Sequence, residues 1–304
     1  MMKKKVVFIL GPTAVGKTFF SVKLAKKMNG EIVSADSVQI YKGLDIGSAK
    51  VKPEEMQGVV HYAIDILEPW QEFSVYEFVE YTKQKIDEII SKGKLPIVVG
   101  GTGLYVKALT LGYNFGGTKK DSRLREQLEN LAKEKGNEFL FSMLESKDKE
   151  MAEKTDKNNT VRLVRALEIA LSDGEKQTGE VEIEPLIFAL VKDRAVLYDA
   201  INKRVDLMLE NGLVDEVKKL KKSGLSVKNQ SMRAIGYKEV LSYLDGEIDY
   251  DRMVEILKQH SRNYAKRQLT FLRGIKNVVY VDTADIEKAE KEIFEKVEDW
   301  LKNG

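Results

Sequence analysis

Close to its start, the chain has the residue spacing of a loop that binds phosphate groups. The pattern G-x-x-x-x-G-K-[ST] is matched at every fixed position by Gly11, Pro12, Thr13, Ala14, Val15, Gly16, Lys17 and Thr18. In such a loop, glycines let backbone N–H groups point at an anion, and the following helix adds the positive end of its dipole. Lys17 is expected to reach the terminal phosphates, and the Thr18 hydroxyl to hold Mg²⁺. A tight turn without a ligand is the alternative, and the pattern alone does not identify the phosphate compound.

A carboxylate and a second glycine-rich turn follow two later apolar runs. Asp36 and Ser37 come after the run 31–34, and Gly100-Gly101-Thr102-Gly103 comes after the run 95–99. If both runs are parallel strands, these residues meet the phosphate loop at one edge of the sheet. Asp36 could then accept a proton from a nucleophile, bind Mg²⁺ through water, or cap the next helix, and Asp-Ser is also common in turns that bind nothing. An ATPase would carry a second aspartate, the Walker B residue, after another strand. No aspartate of this chain is clearly placed there, which weakens the interpretation of the chain as a simple ATPase.

Arginine is concentrated in the second half of the chain. Arg204 lies in an amphipathic helical stretch and could clamp phosphate oxygens, because a guanidinium is always charged and donates twice. The stretches 231–238 and 262–273 interleave basic and aromatic residues, which suits contacts to RNA phosphates and stacking on an unpaired base. For each of these groups, an ordinary exposed helix face is the alternative.

Apolar strand-like runs alternate with helical patterns and predict an α/β fold with a parallel sheet. Strands are predicted at 3–10, 31–34, 61–66, 95–99, 186–191 and 277–281. Helices are predicted at 19–28, 75–92, 195–220 with a break near Gly212, 253–272 and 286–301. Residues 121–173 contain no convincing strand, and three charged helices are predicted there, at 123–135, 137–144 and 160–172. This region resembles a helical insertion in the α/β core.

Composition limits the class of protein. The 304 residues are 43% hydrophobic, enough for one large domain or two smaller ones. No run approaches the roughly 18 apolar residues of a membrane helix, and the apolar run after the basic residues 1–5 is too short for a signal peptide. Without cysteine, disulfides and thiolate metal sites are excluded, and two histidines are too few for a histidine-rich metal site. We therefore expect a cytoplasmic protein.

Taken in order, these motifs resemble the bacterial tRNA dimethylallyltransferases, also called tRNA isopentenyltransferases, in their short form without a zinc finger. The matching stretches are 11–18, 34–37, 39–50, 61–66, 100–105, 161–168, 233–238 and 264–268. The resemblance implies a P-loop NTPase-like parallel sheet flanked by helices, with an all-helical insertion. Residues 1–116 and 185–304 would form the catalytic core, and residues 117–184 the tRNA-binding insertion.

The resemblance also implies a reaction. The family transfers the dimethylallyl group of dimethylallyl diphosphate to N6 of adenosine 37, beside the tRNA anticodon, and releases diphosphate. The loop 11–18 would bind that diphosphate together with Mg²⁺ at Thr18. Asp36 would be the general base, Thr13 would face the reacting groups, and Arg204 would bind the diphosphate.

Contacts to tRNA are implied on both the core and the insertion. The positions are Asp36, Ser37, Val38, Gln39, Thr102, Arg125, Val161, Arg162, Leu163, Val164, Arg165, Arg233, Ala234, Ile235, Gly236, Tyr237, Lys238, Lys266, Arg267 and Arg273. Two departures from the family pattern stand out: Phe271 lies where a tryptophan is frequent, and Tyr62 replaces a frequent second histidine. The expected partners are the anticodon stem-loop of tRNA and dimethylallyl diphosphate, with no membrane and a monomeric enzyme.

Three other functions stay open at this point. A P-loop small-molecule or nucleoside kinase would use the insertion as a lid over its substrate. A noncatalytic RNA-binding module switched by a nucleotide would need the phosphate loop and the basic tracts only. An isopentenyltransferase acting on free adenine nucleotides would share the chemistry, but such a small acceptor would not require the insertion or the basic tracts.

Overall fold

The computed structural model describes residues 3–110, 122–171 and 182–303. The elements in these residues are β1 (Lys4–Leu10), α1 (Lys17–Lys27), β2 (Gly30–Ala35), α2 (Pro53–Met56), β3 (His61–Tyr62), α3 (Val75–Ser91), β4 (Leu95–Gly100), α4 (Gly103–Thr110), α5 (Ser122–Lys147), α6 (Lys149–Glu153), α7 (Thr160–Leu171), β5 (Ile183–Val191), α8 (Arg194–Glu210), α9 (Leu213–Lys222), α10 (Tyr237–Leu244), α11 (Tyr250–Arg273), β6 (Val278–Asp282) and α12 (Ile286–Lys302). A 3₁₀ turn lies at Ser231–Arg233. None of the helices in the described ranges is both long and apolar enough to cross a membrane.

The strands of the described residues form one six-stranded sheet in the order β3-β2-β4-β1-β5-β6. Every pairing is parallel, which confirms the predicted fold class. β1 lies inside the sheet, and its residues 6–10 are buried, as expected of a strand covered on both faces. The carboxyl ends of β1, β2 and β4 meet at one edge, where Gly100 pairs with both Leu10 and Ala35. The phosphate loop, Asp36 and the second glycine turn therefore share that edge.

A hydrophobic core anchors the two elements that flank the phosphate loop. It joins Val7 and Ile9 of β1 to Phe20 and Leu24 of α1 and to Ile293 of α12. Full burial of one such side chain contributes about 2 kcal/mol. The loop between β1 and α1 therefore begins and ends on elements that packing holds in place.

The chain divides into two compact units, residues 1–111 with 181–304, and residues 112–180. The described part of the second unit consists of α5, α6 and α7, which pack through a separate core that includes Leu128, Leu144 and Leu167. α5 is kinked at Gly136, whose φ is 81° and ψ 169°. Two separate helices were predicted on either side of this glycine. The predicted insertion began at 117 and ended at 184, whereas β5 already begins at Ile183.

The third strand is shorter than predicted. The apolar run 61–66 predicts six strand residues, but β3 contains only His61 and Tyr62. Ala63 and Asp65 have positive φ, 60° and 53°, and this backbone conformation ends an extended strand. By contrast, the predicted break in the long helical stretch 195–220 is confirmed, because α8 and α9 are separated at Gly212, whose φ is 94°.

Candidate active site

A cavity of about 770 Å³ opens at the carboxyl edge of the sheet. It brings together side chains that are separated by more than 200 residues in the sequence. The predicted site residues that line it are Thr13, Ala14, Gly16, Lys17, Thr18, Asp36, Ser37, Val38, Gln39, Arg204, Arg233, Ala234, Ile235, Gly236, Lys238 and Arg267. The phosphate loop, Asp36, Arg204 and part of the predicted RNA-binding residues thus face one space.

The phosphate loop is built on glycines that its geometry requires. Gly16 precedes α1 with φ 100°, a left-handed conformation that costs glycine little. Gly11 has no room for a side chain, because a Cβ there would lie 2.8 Å from Val15 Cγ1. Lys17 Nζ donates hydrogen bonds to the carbonyl oxygens of Gly11, at 3.0 Å, and of Pro12, at 2.7 Å. The Lys17 side chain is thus held against the loop that precedes it.

The site holds more positive than negative charge. Burial and, to a smaller extent, the neighbouring Arg204 lower the pKa of Lys17 to about 7, against the opposing effect of Asp36. Burial likewise lowers the pKa of Arg204, with Asp36 and Glu55 opposing that shift. No other described residue gives Arg204 a hydrogen bond or an ion pair. Two desolvated cations that form no ion pair with the nearby carboxylates of Asp36 and Glu55 favour a polyanionic ligand.

Arg204 is fixed by the packing of α8. Leu197, Ile201 and Val205 of this helix are buried, so one face of α8 belongs to the core. Arg204 precedes Val205 and lines the cavity together with Ile201 and Met208. The helix thus supplies a guanidinium set among apolar side chains to the same cavity that the loop 11–18 lines.

Asp36 follows β2 directly and caps the turn after it. Its Oδ1 accepts hydrogen bonds from the N–H groups of Val38, at 2.8 Å, and Gln39, at 3.3 Å. Oδ2 accepts no hydrogen bond from the residues described, and Asp36 lines the cavity. Asp36 therefore caps a turn and not the next helix, and its second oxygen is left for a ligand.

Two residues of α11 that sequence reasoning gave no role belong to the site. Gln268 accepts a hydrogen bond from the Thr13 N–H and donates one to the Gly101 carbonyl, each at 3.0 Å. Tyr264, one helical turn earlier, lines the cavity. Burial raises the pKa of Tyr264 to about 12, and Asp36 adds to the shift, so the phenol stays protonated and can donate. Their spacing of four residues, which places them on one helix face, was the available signal.

Thr102 lies next to this group. Its hydroxyl is buried and has no hydrogen-bond partner among the described residues. The glycines around it are forced by close contacts, since a Cβ on Gly100 would overlap the Ala35 carbonyl oxygen and a Cβ on Gly103 would lie 2.6 Å from the Phe271 ring. The second glycine turn is therefore packed tightly between β2 and α11.

Two of the predicted RNA contacts in the core take structural roles. Tyr237 is fully buried, and its hydroxyl donates to Glu216 at 2.7 Å, so the expectation that its ring stacks on an RNA base is wrong for this conformation. Arg233 lines the cavity but donates hydrogen bonds to the backbone carbonyls of Val227 and Lys228. Lys266, Arg267 and Arg273 are exposed.

In the helical unit, the predicted contacts separate into an exposed and an enclosed group. Val161 and Arg162 are exposed, whereas Leu163 and Val164 belong to the core of the unit, which corrects the prediction that all four reach RNA. Arg125 and Arg165 both bind Oε2 of Glu168, at 2.8 Å and 2.6 Å. The side chain of Glu168 is only 1% exposed, so these two arginines neutralise a buried carboxylate.

The fold and site define a P-loop protein whose phosphate loop faces a carboxylate and an arginine. Two family models match the chain: "IPP transferase" over residues 39–275 and "Isopentenyl transferase" over residues 4–66. The chain belongs to this family of isopentenyl transferases that act on tRNA, the tRNA dimethylallyltransferases.

Known relatives agree over nearly the whole chain. A tRNA dimethylallyltransferase of Acetivibrio thermocellus is 48% identical over 94% of both chains, and one of Bacillus velezensis is 48% identical over 96% of both. Among solved structures, the full-length tRNA isopentenylpyrophosphate transferase of Bacillus halodurans superposes with a TM-score of 0.77 at 44% identity, covering 99% of this chain and 98% of that one. A eukaryotic dimethylallyltransferase captured acting on tRNA gives 0.85 at 27% identity, covering 99% and 80%.

Proposed function

We propose that this protein transfers the dimethylallyl group of dimethylallyl diphosphate to N6 of adenosine 37 in tRNA. The observation that carries the proposal is that Lys17, Arg204 and Asp36 line the same cavity. Two cations suit a diphosphate, and a carboxylate with one free oxygen suits the proton that the acceptor amine must lose. The names of the relatives support the same transfer.

The reaction forms one bond and breaks one. The N6 amine attacks C1 of the dimethylallyl group, the C–O bond to diphosphate breaks, and its electron pair leaves with diphosphate. Lys17, Arg204 and the loop N–H groups stabilise the negative charge that develops there. Asp36 accepts the proton that N6 loses, which helps because an aromatic amine is a weak nucleophile. Thr13 is proposed to present its hydroxyl to the reacting groups.

The residues present fit Mg²⁺ bound mainly through the ligand. Among the described residues, no cluster of three or more acidic or histidine side chains could hold a metal alone. Thr18 and Asp36 line the cavity and offer oxygen atoms, and Mg²⁺ commonly combines one or two such groups with phosphate oxygens and waters. We propose Thr18 as its protein ligand, where the ion would neutralise part of the diphosphate charge.

The tRNA partner follows from the position of the acceptor. A base within the anticodon loop has to leave its stack to enter a cavity, as in base flipping. We propose that one copy of the chain binds the anticodon stem-loop in the cytoplasm. The exposed Lys266, Arg267 and Arg273 of α11, and Val161 and Arg162 of the helical unit, would contact it. The helical unit 112–180 would thus be a tRNA-binding domain.

The test is mass analysis of tRNA nucleosides after incubation with dimethylallyl diphosphate and Mg²⁺, in the absence of ATP. We expect N6-dimethylallyladenosine, and a loss of at least about 10²-fold in rate for Asp36→Asn. Asp251→Asn, an exposed carboxylate at the start of α11, is the matched control and should keep the rate. Prenylated AMP in place of prenylated tRNA would favour the nucleotide transferase, and phosphoryl transfer from ATP without prenylation would favour the kinase.

A further inference from the structure

Gln268 connects two separate loops of the site through one buried amide group. It lies on α11 and is 6% exposed. Its Oε1 accepts the Thr13 N–H of the phosphate loop, and its Nε2 donates to the Gly101 carbonyl of the second glycine turn. Both ends of the amide are thus used between loops that follow the adjacent strands β1 and β4.

The peptide unit between Pro12 and Thr13 is held from both sides. Its carbonyl oxygen accepts a hydrogen bond from Lys17 Nζ at 2.7 Å, and its N–H donates to Gln268 at 3.0 Å. Lys17 is also the side chain expected to turn to the diphosphate when it binds. Once that happens, Gln268 is the remaining side-chain partner of this peptide among the described residues.

The space around Gln268 supports the same role. A Cβ on Gly101 would overlap the Gln268 amide nitrogen. Gly101 does not have a positive φ, so its backbone conformation does not itself demand glycine. The absence of a side chain at Gly101 therefore serves the close approach of Gln268.

We propose that Gln268 is a positioning residue, which keeps the Pro12–Thr13 peptide, and with it the Thr13 hydroxyl, fixed against the Gly101 turn while Lys17 binds the diphosphate. The inference rests on the proposed transfer reaction. Gln268 lines the cavity, but its amide oxygen and nitrogen are bound to the two loops, so we assign it a role in positioning and not in binding the ligand. Its loss should lower kcat and leave the KM for dimethylallyl diphosphate nearly unchanged, because the loop N–H groups from Ala14 onwards still bind phosphate.

The first test replaces the amide with a side chain of similar size. For Gln268→Met we expect kcat to fall by about 10- to 100-fold, since small displacements at a reacting centre are costly. Gln259→Met, the same change at an exposed position of α11, is the matched control and should keep kcat. Unchanged kcat in Gln268→Met, or a rise in KM alone, would overturn the inference. Absence of prenylation by the unaltered protein would instead reject the proposed function.

A double-mutant cycle separates positioning from a general packing defect. Gly101→Ala should lower kcat by displacing Gln268, but it should cost little in a Gln268→Ala background, where the overlapping amide is gone. Additive effects would contradict the proposed coupling. Hydrogen exchange gives a readout independent of turnover: with inorganic diphosphate bound, the Thr13 amide should be protected in the unaltered protein and in Gln259→Met, and exposed to exchange in Gln268→Met. Equal protection in all three would also overturn the inference.

Discussion

The two units of the chain differ in whether their enclosed basic side chains have an ion-pair partner. At the cavity, Lys17 and Arg204 are desolvated and have no ion-pair partner among the described residues, and the pKa of each is lowered. In the helical unit, Arg125 and Arg165 share the buried carboxylate of Glu168. At the cavity, the positive charge is available to a ligand. In the helical unit, the positive charge is already paired with a carboxylate of the same unit.

The contrast indicates that the cations at the cavity serve ligand binding, whereas the arginines bound to Glu168 serve the stability of the fold. A buried charge without a full partner costs free energy of folding, and such a cost is found mainly where a ligand later supplies the missing charge. A buried carboxylate bound by two guanidinium groups has its partners already. The stretch 161–168 resembles an RNA-binding motif in sequence, yet Arg165 within it, like Arg125 of α5, is bound to Glu168. We therefore expect substitutions in the two places to have effects of different kinds.

The largest expected effect is on catalysis. Lys17→Met removes a cation from the leaving group and should lower the rate of prenylation by about 10³-fold. The thermal midpoint of the ligand-free protein should not fall, because the substitution removes a desolvated charge. Lys26→Met, an exposed position on the same helix, is the control. A large loss of stability in Lys17→Met with normal turnover would reverse the comparison.

The second effect is on the stability of the helical unit. Glu168→Gln leaves Arg125 and Arg165 facing a neutral amide and should destabilise that unit by about 3 kcal/mol. Both tryptophans, Trp70 and Trp300, lie in the other unit, so hydrogen exchange of amides within 122–171 is the appropriate measurement. Glu134→Gln, exposed on α5, should change nothing. Unaltered exchange in Glu168→Gln would mean that the ion pairs are not required for the fold.

How far the sequence predicts these two regions depends on the range of the interactions. The phosphate loop is local, so its eight residues, the preceding strand and the following helix suffice to predict it. The link from Gln268 to Gly101 spans 167 residues and depends on how α11 packs, which no local pattern contains. Tyr264 and Gln268 lay in a stretch that resembles the family, but their contacts could not be assigned from it.

The helical unit shows a second limit. The resemblance marks residues 161–165 as one contact stretch, although a helix turns about 100° per residue and cannot present five consecutive side chains to one partner. Leu163 and Val164 fall on the buried face, and Val161 and Arg162 on the exposed face. The break at Gly136, in contrast, was predictable because a glycine between two helical patterns is a local signal.

A third prediction concerns protons taken up with the ligand. With a pKa of about 7, Lys17 is about 10% protonated at pH 8 in the free protein, and a bound diphosphate should restore the proton. Lys17 should therefore take up most of one proton when inorganic diphosphate binds at pH 8, and the affinity should fall as the pH rises above the pKa of Lys17. Calorimetry in two buffers of different ionisation enthalpy measures the uptake. Lys17→Met should abolish it, and an unchanged uptake in this variant would assign the proton to another group.

The smallest effect tests the division inside the helical unit. Arg162 is exposed, whereas Arg165 binds Glu168. If Arg162 contacts a tRNA phosphate, Arg162→Ala should weaken tRNA binding a few-fold and lower the slope of log K against log salt by about 1. Hydrogen exchange of the unit should stay the same.

Arg165→Ala should speed exchange in the unit, because Glu168 then loses one of the two guanidinium partners that the described residues give it. Binding titrations at several salt concentrations decide the matter: an equal change of salt slope in both variants would show that pairing with Glu168 does not withdraw an arginine from RNA.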